Sequence, residues 1–334
     1  MNDRVLAVLE KYDIEVLRSW KGRGAILCET KTGVKILKEY KGSEERLQTQ
    51  EQLLREIKEN GFFSVEEIIP SKEGNLLVKD EDMNSYYLKE YQEGKECNIR
   101  ECQESSYVVE QMALLHKAME LPSFVKEKKM VPYSLKSEFE KHNKELIRIK
   151  KYLKTKRRKS DFEYFLYQNF DPFLEKAEKI LEEVRGSSML GPEQDLFQKG
   201  CLCHGDFQHH NTILCQKGIF FINFEKYILD SPMRDLSLFF RKMMEKNNWS
   251  KELGLFVLQS YEKQKKLSQE DKYQLYFRLS YPEKFWKIVN FYYNSPKAWI
   301  PAKNMEKLEK ILKQEEQKNL FLESNFKEGV LRKS

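Results

Sequence analysis

The run Cys203-His204-Gly205-Asp206-Phe207-Gln208-His209-His210-Asn211 sets an aspartate and an asparagine five positions apart in a loop-like stretch. Asn223-Phe224-Glu225 follows twelve residues after the asparagine, at the end of an apolar run. Residues of those types in that order suit phosphoryl transfer. The reaction needs one carboxylate to orient the attacking hydroxyl and accept its proton, one amide oxygen on magnesium, and a further acid on the metal that bridges the phosphates. Asp206 fits the first role, Asn211 the second and the Asn223 segment the third. The third role is filled in an unusual way, because an asparagine offers a neutral carbonyl oxygen where a divalent ion prefers an anionic one. Glu225 lies two residues on, on the same side of an extended segment, and its longer arm is the candidate to offset the lost charge. A loop in which His204 and Asp206 only hydrogen-bond a buried turn explains less, since the aspartate, the asparagine and the later segment match in type, order and spacing together.

HGDFQHHN is similar to the HGD-x-x-x-x-N catalytic loop of the aminoglycoside phosphotransferase and choline kinase group, a variant of the protein-kinase HRD loop. The longer runs CHGDFQHHNTIL and INFEKYILDSPMRDLSLFFRKMMEKNNW resemble the CotS family of spore coat proteins, which share that kinase-like fold. LKEY, YYLKEYQEG and ALLHK extend the resemblance over most of the chain. The resemblance implies an α+β, bilobal protein-kinase-like fold. A small antiparallel-sheet lobe with one helix is expected over residues 1–92. A larger, mainly helical lobe is expected over 93–334, with a basic helical insert at about 136–185. It also implies ATP and magnesium as cofactors, both weakened by Asn223, which stands where such enzymes carry the metal-binding aspartate of D-F-G or D-x-D. The main chain from Leu88 to Tyr91 would meet the adenine edge, which makes Glu90 and Tyr91 nucleotide-binding candidates. An aspartate at the place of Asp235 steadies the catalytic loop in that family. The implied function is weak or degenerate ATP-dependent phosphotransfer to a hydroxyl. The alternative is a catalytically inactive, kinase-like structural protein of spore coat assembly, with other coat proteins as partners, made in the cytoplasm and resident in the coat.

The elements that must position these residues are legible upstream. VLRSW, AILCET and GVKILKEY read as three strands rich in β-branched and aromatic residues. Gly22-Arg23-Gly24 lies between the first two, and without a third glycine it reads only as a hairpin turn. In GVKILKEY, Ile36 and Lys38 share one face while Lys35, Leu37 and Glu39 share the other. Lys38 best matches the V-A-I-K lysine that holds the α- and β-phosphates; the plain alternative is an edge-strand lysine kept for solubility. Ser43 to Asn60 reads as a helix with Leu47, Leu54 and Ile57 on one stripe and Gly61 closing it. Glu51 is the expected partner of Lys38 and Glu56 its rival. NLLVKD and SYYLKEY read as further strands, with Gly94 marking the lobe boundary. Ile99 to Met119 reads as a long helix ending in a packed or capping His116. Beyond the catalytic loop, Gly218 to Phe224 pairs back across a hairpin turn, Asp235 caps a helix, and Tyr273 to Asn294 and Met305 to Asn319 read as helices.

Composition bounds the rest. A chain of 334 residues with 40% apolar content suits two cores or one bilobal unit. A net charge of +6 and a pI of about 8.7 favour anionic small ligands without the strongly basic signature of a specific nucleic-acid binder. No apolar run reaches the length of a membrane span, and MNDRVLAVLEKYDIEV lacks the pattern of a signal peptide, so a cytosolic chain is expected. The six cysteines show no C-x-x-C pair and are expected to be reduced thiols. Cys201, Cys203, His204, His209, His210 and Cys215 crowd one stretch, but Cys201 and Cys203 point away from His204 in an extended run, which does not converge four zinc ligands. Between Lys141 and Lys159 there are ten lysines or arginines and one acid, Glu145. That charge reads as a solvated helical face or as an arm for an acidic partner.

Overall fold

The computed structural model describes residues 3–327 apart from 23, 121, 189, 191–200, 217 and 295–300. Arg23 of the first hairpin, the Gly191-Pro192 loop, Lys217, Pro296 and the tail from Glu328 lie outside the described residues. The first part of the chain runs α1 (Asp3–Leu9), β1 (Val16–Gly22), β2 (Ala25–Thr30), β3 (Gly33–Glu39), α2 (Glu44–Glu59), β4 (Ile68–Ile69), β5 (Val78–Lys79), β6 (Ser85–Glu90) and β7 (Lys95–Glu96). The helical part follows as α3 (Cys102–Ala118), α4 (Phe124–Glu127), α5 (Leu135–Thr155), α6 (Asp161–Gln168), α7 (Phe170–Gly186), β8 (Cys201–Cys203), β9 (Thr212–Cys215), β10 (Gly218–Phe221) and β11 (Ile228–Asp230). It ends with α8 (Met233–Lys246), α9 (Lys251–Gln264), α10 (Gln269–Ser280), α11 (Glu283–Asn294) and α12 (Pro301–Leu322).

This is the bilobal, kinase-like α+β arrangement: a small antiparallel sheet with its helix, and a larger helical body. The sheet order is β1-β2-β3-β6-β4, with β5 also on β6. Alternation along β3 turns Lys35 and Leu37 inward onto a small core made with Val8, Leu9 and Tyr12 of the α1 region, and leaves Ile36 and Lys38 on the opposite face. The short α1 that closes this core gives too few turns for a periodic signal in sequence. α2 starts where Ser43 Oγ accepts the Arg46 N–H at 3.2 Å, and it ends before Gly61, whose φ of +86° suits a glycine cap. Its buried stripe is Leu47, Gln50, Leu53, Leu54 and Ile57.

Strand-like pairing ties the sheet to the helical body at two places. Residues 62–66 lie along β10, with Phe62 stacked on Phe221 at 6.0 Å, Phe221 N–H donating to Ser64 O at 2.9 Å and Glu66 N–H to Phe221 O at 3.1 Å. β7 pairs with β9, Lys95 opposite Leu214 and Glu96 opposite Ile213. The approach at that crossing is so close that a Cβ on Gly94 would stand 2.4 Å from Leu214 O, so only glycine fits.

Three expectations change in detail. Tyr273 to Asn294 is two helices, broken at Tyr281-Pro282 because proline lacks the N–H that would continue the ladder. Pro232 takes the cap position of α8, and Asp235 lies inside the first turn with its carboxylate turned elsewhere. The basic stretch belongs to α5, whose other face is core: Phe139, Leu146 and Leu153 are buried, and Asn143 bridges Ala177 O at 3.1 Å and Tyr281 OH at 2.7 Å.

The basic stretch runs past the end of α5 at Thr155. Arg157 and Arg158 are exposed, whereas Lys159 donates to Lys156 O at 2.8 Å. Replacing Arg157 and Arg158 together by serine is expected to move the melting temperature by less than about 2 °C, since exposed substitutions cost under about 0.5 kcal/mol each. A thermal melt showing a larger drop would mean that these side chains pack.

Candidate active site

The loop between β8 and β9 is held from below by one carboxylate. Asp235 accepts the His204 N–H at 2.6 Å and the Gly205 N–H at 2.9 Å, and His116 Nε2 lies 3.5 Å from it. Asp235, His116 and His204 are buried and Gly205 is half-buried, so this aspartate fixes the loop instead of capping its own helix. His116 in turn contacts Tyr261 OH at 2.9 Å, which makes it the packed histidine expected from sequence. His204 is held as one tautomer: its Nε2–H donates to Ile222 O at 2.9 Å, while Nδ1 accepts the Asp206 N–H at 3.2 Å. Gly205 has φ +79°, and a Cβ there would lie 2.0 Å from Lys226 O, so the Gly of HGD is required by both conformation and space.

Asp206 is engaged by Lys226 Nζ at 2.8 Å and Gln208 Nε2 at 2.8 Å. Burial would raise its pKa, but the hydrogen bonds from Lys226 and Gln208 outweigh burial and hold it below the usual carboxylate range. From there a chain of hydrogen bonds leads to the sheet. Asn211 Nδ2 donates to Asp206 O at 2.8 Å, and Asn223 Nδ2 donates to Asn211 Oδ1 at 2.8 Å. Asn223 Oδ1 accepts Lys89 Nζ at 2.8 Å and Lys38 Nζ at 3.4 Å. Only an oxygen can face two ammonium groups, which settles the orientation of both amides. Asn223 is left-handed, with φ 68° and ψ 57°, a conformation that asparagine tolerates.

Lys38 is thus brought to Asn223 and Glu225, and its carboxylate partner is Glu225, which also accepts Tyr87 OH at 2.6 Å. Glu51 and Glu56 were the expected partners, and neither is. α2 turns Gln50 inward at this level, and Glu56 accepts the backbone N–H and hydroxyl of Ser123 at 2.9 and 2.7 Å. A helix step of about 100° separates Glu51 from Gln50, enough to carry it off the buried stripe. Burial would raise the Glu225 pKa, yet the ammonium groups of Lys89 and Lys38 and the hydrogen bonds from Lys38 and Tyr87 hold it well below the ordinary glutamate range.

Glu90 and Tyr91 stand at the crossing between the lobes. Their N–H groups are already spent, on Glu67 O at 2.9 Å and Val34 O at 3.2 Å, because β6 is flanked by strands on both sides. The Glu90 carboxylate is paired with Lys35 at 2.5 Å on the far face of the sheet. Of the cysteine and histidine cluster, Cys203 Sγ contacts Asp230 O at 3.1 Å and Ser231 O at 3.2 Å, and His204 serves the loop.

Sequence reasoning missed the residue at the centre. Glu66 Oε2 takes Lys89 Nζ at 2.5 Å and the Asn223 N–H at 2.9 Å, while Oε1 takes the Phe224 N–H at 2.9 Å and Gln50 Nε2 at 3.3 Å. The available signal was Lys89: alternation in YYLKEY puts it beside Tyr87 on an inward face, where a lysine demands a carboxylate. Arg46 was also missed. It clamps Glu225 O at 3.0 Å and Tyr227 O at 3.1 Å and lies 4.5 Å over the Tyr227 ring.

Asn211 Oδ1, Asn223 Oδ1 and Glu225 Oε1 each accept an internal donor, and the ammonium groups of Lys38 and Lys89 beside Asn223 would repel a divalent ion there.

An antiparallel sheet over a helical body, joined at a loop of the HGD-x-x-x-x-N type, defines a kinase-like fold, and solved structures agree. The chain is similar to an aminoglycoside phosphotransferase from Alicyclobacillus acidocaldarius at 19% identity and a TM-score of 0.84, over 97% of this chain and 96% of that one. It is similar to the AMP-bound spectinomycin phosphotransferase APH(9)-Ia at 13% identity and 0.70, over 95% and 97%. A choline kinase from Cryptosporidium parvum matches at 15% identity and 0.56, over 98% and 99%. Residues 6–325 match the family described as "Spore coat putative kinase YutH", and the chain belongs to that family of CotS-type spore coat kinases. Among the described residues no helix is long and apolar enough to cross a membrane.

Two outcomes follow from this geometry. Asp235→Ala leaves the buried His204 N–H, the half-buried Gly205 N–H and His116 Nε2 without their shared acceptor, so a loss of roughly 2 to 4 kcal/mol is expected in denaturant unfolding. Glu225 has a depressed pKa when folded, so its stabilisation is present above the unfolded pKa and is lost as pH falls through the folded one. The difference in melting temperature between wild type and Glu225→Gln should be largest near neutral pH and shrink below about pH 4.

Proposed function

We propose that this protein is a nucleotide-binding member of the kinase-like fold whose metal site is closed by its own side chains. It binds ATP weakly, depends little on magnesium, transfers phosphate slowly or not at all, and works in the spore coat among other coat proteins. Nucleotide binding is supported by neighbours solved with AMP, with ADP and spectinomycin, and with AMP-PNP and calcium. Location in the coat is supported by family membership. One observation carries the reading of a closed site: Asn223 turns its oxygen to Lys89 and Lys38 and its amide to Asn211 Oδ1.

In this reading Lys38 exchanges Glu225 for the phosphates, and Asp206 serves as base once the exposed Lys226 swings aside. For transfer, the acceptor oxygen bonds the γ-phosphorus, the bond from that phosphorus to the β–γ bridging oxygen breaks, ADP leaves and the hydroxyl proton passes to Asp206. A carboxylate held at a low pKa by an ammonium is a poor base, which is a second reason to expect slow turnover. Kinase-like bodies can also serve assembly alone, and the same closed site is compatible with that alternative.

Asn223→Asp tests the point. An aspartate there cannot donate to Asn211 Oδ1, and Asn211 cannot turn away without losing its bond to Asp206 O. Two facing oxygens would then recruit a cation. Calorimetric titration should show weak, nearly magnesium-independent ATP binding by wild type, with magnesium-dependent affinity rising about tenfold to a hundredfold in the variant. Strong magnesium dependence in wild type, or turnover in the usual kinase range of about 1 to 100 per second, would refute the closed site.

A further inference from the structure

We infer that the cavity beside Asp206 binds a small hydroxyl compound carrying an oxyanion, a phosphate or a carboxylate, an inference that rests on the phosphotransfer reading above. The cavity measures about 360 Å³, within the range for a small organic molecule, and opens between the catalytic loop and α5, α8 and α11. Gly205, Asp206 and Gln208 form one side, while Lys38 and Lys89 do not line it, so it lies on the acceptor side of the base.

Its charge argues for an anion. Five cationic side chains line it: Lys226, Arg234, Arg241, Arg278 and Lys287. The lining acids are already matched. Asp206 holds Lys226 at 2.8 Å, Glu283 holds Lys287 at 3.1 Å with His142 Nδ1 at 3.3 Å, and Glu138 lies 3.8 Å from Arg234. Behind the wall a single carboxylate, Asp230, serves two guanidinium groups, Arg234 at 3.1 Å and Arg278 at 2.7 Å. Among the described residues no carboxylate lies within salt-bridge distance of Arg241; it shares the field of Glu283 with His142 and Lys287, so the cations at the cavity outnumber the carboxylates that serve them.

Geometry favours the same conclusion. Arg234 is stacked at 4.3 Å over the Tyr133 ring and anchored through Nη1 by Asp230, so the rest of its planar donor fork is held in place before any ligand arrives. Such a fork matches the spacing of carboxylate and phosphate oxygens. Phe139 and Trp286 add apolar wall, which suits an organic anion better than a bare inorganic one. Glu138, His142 and Glu283 bring their ligand atoms within 4.8 Å of one another, a grouping that in isolation suits a metal ion. Arg234 and Lys287 already stand on those two acids, and a cation would meet their repulsion.

The experiment uses the full chain, with glycerol 3-phosphate and glycerate as probes. Glycerol, choline and inorganic phosphate serve as the neutral, cationic and inorganic controls, and ATP is titrated separately. At least one organic anion should bind with Kd at or below about 1 mM and at least tenfold tighter than every control. Binding should persist with saturating ADP and weaken about tenfold or more in Arg241→Gln, a change that leaves the Asp230 pairs intact. The proposal is overturned if glycerol or choline binds as well as the anions. It is also overturned if inorganic phosphate does, if ADP displaces the probe, or if Arg241→Gln binds like wild type. If ATP binds and no anion does, the proposal fails while the nucleotide reading stands. If an Arg241-dependent anion binds and ATP does not, the cavity assignment holds and the nucleotide reading falls.

Discussion

The buried carboxylate of Glu66 is the constraint on which the site depends. It receives four donors, one from each of α2 and β6 and two from the backbone at Asn223 and Phe224. A carboxylate and an ammonium sealed from water cost several kcal/mol each to desolvate, and that cost is offset only when nearly every lone pair and proton finds a partner. Glu66 meets the condition by gathering the helix, the central strand and the Asn223-Phe224 segment onto one group. The sheet, the helix and the segment that follows β10 are thereby held in one register. Lys89, fixed in this way, is also fixed toward Asn223, so its bond to the Asn223 oxygen comes with the contact that joins the sheet to that segment.

This coupling explains why an asparagine at position 223 is consistent with its surroundings and is more than a lost charge. With Lys89 and Lys38 facing it, the side chain needs an acceptor on one side, and with Asn211 Oδ1 facing it, a donor on the other. An amide supplies both. Local choices that agree with one another in this way mark a settled arrangement. Glu225 belongs to the same agreement: its two partners, Lys38 and Tyr87, come from the sheet side of the cleft.

Much of this was legible in the sequence where local chemistry dictates the answer. HGD-x-x-x-x-N announced its loop because the glycine, the base and the amide are needed at fixed offsets along one short stretch, and the fold followed from it. The alternation of GVKILKEY sent Lys38 to the cleft and Lys35 to the α1 side, as observed. What sequence could not supply was phase and partnership across long separations. The partner of Lys38 is 187 residues away, whereas the nearby helix offered two glutamates and turned Gln50 inward instead. Asp235, read from its local pattern as a cap, serves the loop as the resemblance implied. A carboxylate in the first turn can serve its own helix or reach a neighbouring loop, and buried N–H groups without another acceptor decide in favour of the loop.

Lys38, Lys89 and Lys226 stand against Glu225, Glu66 and Asp206, each cation on its own carboxylate. The set is therefore neutral before any ligand arrives, and a polyphosphate must displace carboxylates to reach the ammonium groups. Lys89 cannot be released, since it and Glu66 are both almost wholly buried. Lys38 and Lys226 are the available cations, being 30% and 69% exposed. Releasing Lys38 leaves Glu225 with Tyr87 as a remaining donor and the fixed charge of Lys89 nearby, so that carboxylate stays partly compensated. Releasing Lys226 leaves Asp206 with Gln208 alone, and its pKa then rises toward that of a more useful base. Phosphates would therefore call on Lys38 while competence of Asp206 calls on Lys226, so nucleotide entry and activation of the base draw on two different ammonium groups, one on each side of the cleft.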